Sequence, residues 1–147
     1  MQHSPQPEFI VREAKWEEAG EQLRAIRERV FIREQGVPEA LEWDGLDADC
    51  IHLLAETEQG DAIGTVRLLA DGHIGRMAVL KEWRGKGVGK VLLLRTIEIA
   101  RDSGLKRVVL NAQTTALGFY QKAGFTASGG EFMDAGIPHY RMELALR

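Results

Sequence analysis

The chain has a single cysteine, Cys50, in 147 residues. No intrachain disulfide can form, and a metal site built on Cys-x-x-Cys pairs is excluded. Long apolar runs are lacking as well: nothing approaches the roughly 18 residues that a bilayer-spanning helix needs. The opening MQHSPQPEF holds no basic segment followed by an apolar one, so no secretory signal is expected there. These absences point to a reducing, cytoplasmic setting. An excess of positive charge is also missing. The 19 Lys and Arg stand against 22 Asp and Glu, a formal net charge of −3, which argues against nucleic-acid binding and its basic footprint. There is no internal repeat and no low-complexity tract.

What is present fits one soluble globular domain spanning residues 1–147. A chain of this size buries roughly 68–70% of its unfolded surface, and the composition is 44% hydrophobic and 28% charged. Residues 8–14 read as a short strand. From Trp16 the apolar spacing changes to threes and fours (Ala19, Leu23, Ile26, Val30), an amphipathic helix with Arg and Glu on its outer face. Residues 34–49 break the pattern with Gly36, Pro38 and Gly45 and read as one long loop, a length that usually signals function. Segments 50–58, 62–70 and 73–80, separated by QGD and DG turns, form an antiparallel meander. A helix follows over 88–100, closed at Ser103-Gly104. Residues 106–112 read as a buried strand, 114–124 as a short helix with Thr114 at its N-cap, and 139–146 as an alternating strand. The order β-α-β-β-β-α-β-α-β implies an α/β (mixed α+β) fold: a central, mostly antiparallel sheet flanked by helices.

One stretch resists a packing explanation. In WRGKGVGKVLLL, glycines and cations alternate ahead of a helix, though glycine weakens helices and like charges repel. At a strand–helix junction the free N–H groups and the positive end of the helix dipole make an anion site. Gly85, Gly87 and Gly89 let a phosphate approach the backbone, while Arg84 and Lys86 add charge. Two adjacent phosphates suit the arrangement better than one. The G-x-G-x-x-G dinucleotide fingerprint fails because Lys90 follows Gly89, and the Walker A pattern fails because Val91 follows Lys90.

Arg84-x-x-Gly87-x-Gly89 matches the Q/R-x-x-G-x-G/A acyl-CoA motif, and the chain resembles the GNAT N-acetyltransferase superfamily. The likeness continues in NAQTTALGFYQKAGF (111–125), while VFIREQGVP and EWDGLDAD resemble a subgroup of small bacterial-type members. It implies a GNAT-like fold in which acetyl-CoA, as cosubstrate and without a metal, lies between two splayed parallel strands. The pyrophosphate would rest on the N–H groups of Gly85, Lys86, Gly87, Val88 and Gly89. The pantetheine arm would pair with the backbone of Met77, Ala78 and Val79, with the Asn111 amide in reach. Val79 N–H would face the oxyanion, and Tyr120 stands where many members carry a tyrosine for the leaving thiolate.

The implied reaction is N-acetylation of a primary amine, on a small molecule or a peptide, by direct attack on the thioester. Such attack needs a neutral amine, a stabilised oxyanion and a proton for the thiolate. Glu42, Asp44, His52 and His139 are all chemically able bases. Glu42 is placed first because it flanks Trp43, whose ring can stack on an ammonium. Glu39, Glu42, Asp44, Asp47 and Asp49 would draw a cationic amine to the site. Two rival readings use the same pocket: a non-catalytic acyl-CoA-binding or sensing module, and a nucleotide-binding module. A homodimer is compatible with the sequence, and no membrane partner is expected.

Overall fold

The structure, a computed structural model, describes residues 8–147. Four strands, β1 (Phe9–Ala14), β2 (Ile51–Thr57), β3 (Ala62–Leu68) and β4 (Ile74–Val79), form an antiparallel sheet in that order. Three more, β5 (Arg107–Gln113), β6 (Thr126–Asp134) and β7 (Ile137–Ala145), form a second antiparallel sheet ordered β5-β7-β6. The helices are α1 (Trp16–Arg27), α2 (Glu39–Glu42), α3 (Val88–Asp102) and α4 (Leu117–Lys122). No helix among the described residues is long and apolar enough to cross a membrane.

Patterning explains most of this. In α1, Ala19, Leu23 and Ile26 are buried at helical spacing; in α3, Val88, Leu92, Leu93, Ile97 and Ala100 are. Both helices pack on β3, whose residues from Ile63 to Leu68 are buried one after another, so each sheet face is covered. Helix α3 ends at Ser103, and Gly104 follows with φ +86°, a backbone that glycine adopts without a Cβ penalty.

Three local readings need correction. The segment 34–49 is not one loop: α1 continues as a π-helical stretch Glu28–Glu34, and α2 and a 3₁₀ turn at Asp47–Asp49 follow. The short helix near 114–124 is a 3₁₀ turn, Thr114–Ala116, leading into α4, and Thr114 caps nothing. Strand β6 was not expected at all. Its nine residues are all exposed, so it carries no apolar alternation, and Gly129-Gly130 interrupts its propensity.

Charge on α1 is also not confined to its outer face. Arg27 is 1% exposed. Its Nε donates to Glu42 (2.8 Å) and its Nη1 to Asp47 (2.6 Å), with Trp43 stacked on the guanidinium at 5.0 Å. Arg67, buried near the C-terminal end of β3, donates to both oxygens of Asp44 and to Asp47 (3.0 Å). Arg76 reaches the backbone oxygens of Leu41 and Glu42 and the Asp44 carboxylate. Three arginines thus face three carboxylates, and the ion pairs pin the segment carrying α2 to α1, β3 and β4. Hydrogen bonding from Arg67 holds the Asp44 carboxyl far below the usual carboxylate range. Burial works to raise Asp47, but hydrogen bonds and charge from Arg27 and Arg67 outweigh it and leave it lowered.

Removing one member leaves uncompensated charge in a dry site. Arg27→Met should lower stability to urea by about 3–5 kcal/mol, the range for a broken buried ion pair. Because both aspartates are lowered from their ordinary 3.8, their contribution is complete above that value and fades as pH falls through it. The urea midpoint should therefore drop below about pH 5, and less steeply in Asp47→Asn. Equal slopes in the two proteins would rule out the linkage.

Candidate active site

The two sheets meet at one point. His73, just before β4, and Val109 of β5 form a parallel bridge, and Val109 N–H donates to Gly72 O at 3.0 Å. Gly72 is required there: its φ is +98°, and a Cβ would sit 2.7 Å from Arg107 O. Beyond this contact β4 and β5 separate, and a cleft of about 680 Å³ opens between them.

Strand alternation decides which backbone groups face that cleft. Leu80 N–H donates to Ile63 O of β3, so its neighbour Val79 points the other way, as does Met77 two residues earlier. Ala78 pairs toward Thr65 of β3, is buried, and does not line the cleft. The pairing expected of Ala78 therefore falls to Met77 and Val79. A bulge makes this register: Arg76 and Met77 together oppose Val66, and Arg76 adopts φ +51°.

At the mouth, the N–H groups of Gly85, Lys86, Gly87, Val88 and Gly89 have no acceptor among the described residues. Gly87 caps the start of α3 with φ +88°, a turn of the chain that glycine takes without a Cβ penalty. Arg84 is engaged otherwise than expected. Its Nε donates to Val79 O (2.9 Å), and its two Nη groups grip Glu34 (2.6 and 2.8 Å), so the side chain braces the turn against β4. Lys86 lies over Trp83 at 5.1 Å and does not line the cleft. Gly85, Gly87, Val88, Gly89 and Asn111 do.

Tyr120 lines the cleft from α4, edge-on to Phe119 (5.1 Å) and Phe125 (6.0 Å). Burial pushes its hydroxyl up to about 12. Near neutral pH the phenol keeps its proton and can donate a hydrogen bond.

The proposed bases sort clearly. Glu42 lines the cleft but is 3% exposed; its Oε2 is held by Arg27 and lies 3.2 Å from Arg76 Nε, while its Oε1 has no hydrogen-bond partner among the described residues. Asp44 is bound by Arg67 and Arg76. His52 is fully buried away from the cleft, its Nε2–H donating to Asp47 O (2.8 Å) and its ring stacked on Trp16. His139 lines the cleft. The cation-drawing loop is correspondingly quieter than its composition implies, since Glu42, Asp44 and Asp47 are offset by arginines and Trp43 is occupied by Arg27.

Sequence reasoning passed over Arg67, Arg76, Gln35 and Gln113, which all line the cleft; the last two are joined by a 2.9 Å side-chain hydrogen bond. For Arg67 a signal existed: an arginine inside TVRLLA sits in a buried strand and needs a carboxylate partner. Arg76 shows no such signal, because a bulge at Gly75-Arg76-Met77 is not written in residue type.

Known proteins are similar to this chain in sequence and fold. A family model described as an acetyltransferase (GNAT) domain matches residues 13–146. YjcF of Bacillus subtilis, an uncharacterised N-acetyltransferase, is 39% identical over 133 residues, covering 88% of this chain and 94% of that protein. An acyl-CoA N-acyltransferase from Pseudomonas aeruginosa is similar with a TM-score of 0.78 at 31% identity, over 92% of this chain and 97% of that one. Escherichia coli ElaA gives 0.82 at 27% identity, over 92% and 98%. With the family model spanning nearly every residue and relatives aligned along almost their full length, the chain belongs to the GNAT acetyltransferase family.

Proposed function

We propose that the protein transfers an acetyl group from acetyl-CoA to a primary amine of a small molecule or peptide, by direct attack on the thioester. The observation that carries this reading is the row of five N–H groups at residues 85–89 that have no acceptor among the described residues. They stand at the start of the 15-residue helix α3, where the cleft between β4 and β5 opens. Convergent amides at a helix N-terminus fit a pyrophosphate and need no metal to neutralise it. The thioester supplies the activated acyl group.

Residues of this chain carry the other requirements. Met77 offers its outward backbone groups, and Val79 its N–H, to an extended amide-bearing arm, while Val79 O is taken by Arg84. Val79 N–H is the donor best placed for an oxyanion forming beyond β4. Tyr120 presents a hydroxyl on the helix side. A free thiol titrates near 8.5, well below Tyr120, so complete proton transfer from the phenol is uphill. The hydroxyl instead donates a hydrogen bond to the departing sulfur as charge builds on it.

The seat is tested with paired variants. Gly87→Ala isolates the cost of a Cβ at positive φ, while Gly87→Glu also brings a carboxylate among the phosphate donors. Calorimetry should show acetyl-CoA bound roughly tenfold or more weakly by the glutamate variant than by the alanine one. Equal affinities in two folded variants would remove the site.

Tyr120→Phe should slow acetyl transfer about 10²-fold or more while acetyl-CoA affinity stays within a factor of two or so. Free-thiol release with a working amine measures the first and calorimetry the second. A wild-type rate would leave Tyr120 as packing for Phe119 and Phe125.

A further inference from the structure

The amine must lose a proton; Asp44 and His52 are already committed, and Glu42 is held through its Oε2 by Arg27. On β7, His139 sits opposite Gln113 of β5 and Phe132 of β6. Its Nδ1 lies 2.6 Å from Ile137 O. A carbonyl only accepts, so Nδ1 carries the hydrogen, and in the neutral ring Nε2 is left with its lone pair. No group among the described residues bonds Nε2. The ring is stacked on Phe132 at 5.9 Å and 24°, is 8% exposed, and lines the cleft. Tautomer and ring plane are therefore both set by the fold.

Its place in the sheet matters as much. Alternation along β5 and β7 sends Leu110, Ala112 and Met142 into the core shared with α3 and α4. His139, with Gln113 and Asn111, occupies the opposite face. Tyr120, on α4, belongs to the helix side, and the cleft runs between. A hydrogen-bond donor thus lines the gap from one side of the sheet and a proton acceptor from the other.

We propose that His139 Nε2 is the general base that takes the proton of the acceptor amine; this rests on the N-acetyltransfer reading above. As the N–C bond forms, the amine proton passes to Nε2. As the C–S bond breaks, the electron pair leaves with sulfur, and one proton from solvent or from His139 returns to the thiolate. The products are an amide and a thiol, with atoms and charge balanced. Charged groups near the imidazole are Asp134 on β6, Arg141 and Glu143 on β7 (3.3 Å from each other), and Arg76, Arg67 and Glu42 across the cleft. Asn111 and Gln113 of β5 are uncharged.

The discriminating variant is His139→Asn, because an asparagine amide can keep the hydrogen bond to Ile137 O while having nothing in place of Nε2. Thiol release is followed with acetyl-CoA and spermidine, glucosamine, L-lysine and a lysine peptide. Given a turning-over wild type, the variant should lose about 10²–10⁴-fold in kcat. Its acetyl-CoA affinity should be unchanged, it should lose the acid-side limb of the pH–rate profile, and added imidazole should partly restore the rate. A wild-type kcat and pH profile in His139→Asn overturns the proposal while leaving the acetyltransfer reading intact. If wild-type protein releases no thiol with any of these amines, the acetyltransfer reading fails, and the base assignment with it. Nitrogen-15 NMR of the wild type supplies a test independent of the variant's folding: Nδ1–H is expected for His139, and an Nε2–H tautomer overturns the assignment.

Discussion

The cleft exists because two sheets that could have been one are joined at a single residue pair. Gly72 and His73 hold Val109, and past that contact no backbone hydrogen bond joins β4 to β5 among the described residues. A continuous parallel ladder would have paired the backbones of Met77 and Val79 and closed the gap. The open edge is ordinarily a liability, since unpaired N–H and C=O groups invite another strand. Here it is shielded: α3 and its glycine turn flank one end, and the segment carrying α2 leans over the bulge on the other. An extended, amide-bearing ligand arm is the guest such an edge can take without exposing it to a second protein chain.

Neutralisation of the acidic segment follows from the same geometry. Covering the far side of the cleft with residues 35–49 brings Glu42 and Asp47 into a dry interior, where an isolated carboxylate would be untenable. Arg27, Arg67 and Arg76 come from three different elements, so the ion pairs close only when α1, β3 and β4 are all in place. Such pairs give little net stability compared with apolar packing, but breaking one is expensive. Their effect is to hold the cover in one position.

Much of this was legible from the residues. The glycine–cation alternation at 84–89 marked the strand–helix turn whose N–H groups have no acceptor among the described residues, and the buried stripes of α1 and α3 gave their positions. The parts that stayed hidden have physical reasons. Strand β6 is wholly exposed, so pairing with β7 rather than burial defines it. Arg27 reads as a solvated charge on the outer face of a helix and Glu42 as a base in an open loop, because the two partners lie 15 positions apart. Ala78, Met77 and Val79 look equivalent in the sequence, and Lys86 looks as available as its glycine neighbours until Trp83 takes it.

The distinction among 77, 78 and 79 comes down to the bulge. Gly75 faces Arg67 and Ala78 faces Thr65, so one residue more stands on β4 than on β3 between those pairs. Without that extra residue Met77 would take the place of Ala78 against β3, and Ala78 would take that of Val79, since a one-residue slip reverses every direction. The insertion puts Arg76 at positive φ, at a cost of about 1–2 kcal/mol for a residue with a Cβ. What holds it there is its own side chain, which donates to Leu41 O at 3.3 Å and Glu42 O at 3.1 Å and sits against two carboxylates. The acidic segment that seemed to be a lure for substrate thus acts through Arg76 on the backbone of β4. It keeps Val79 N–H directed into the cleft, where the proposed reaction needs an oxyanion donor.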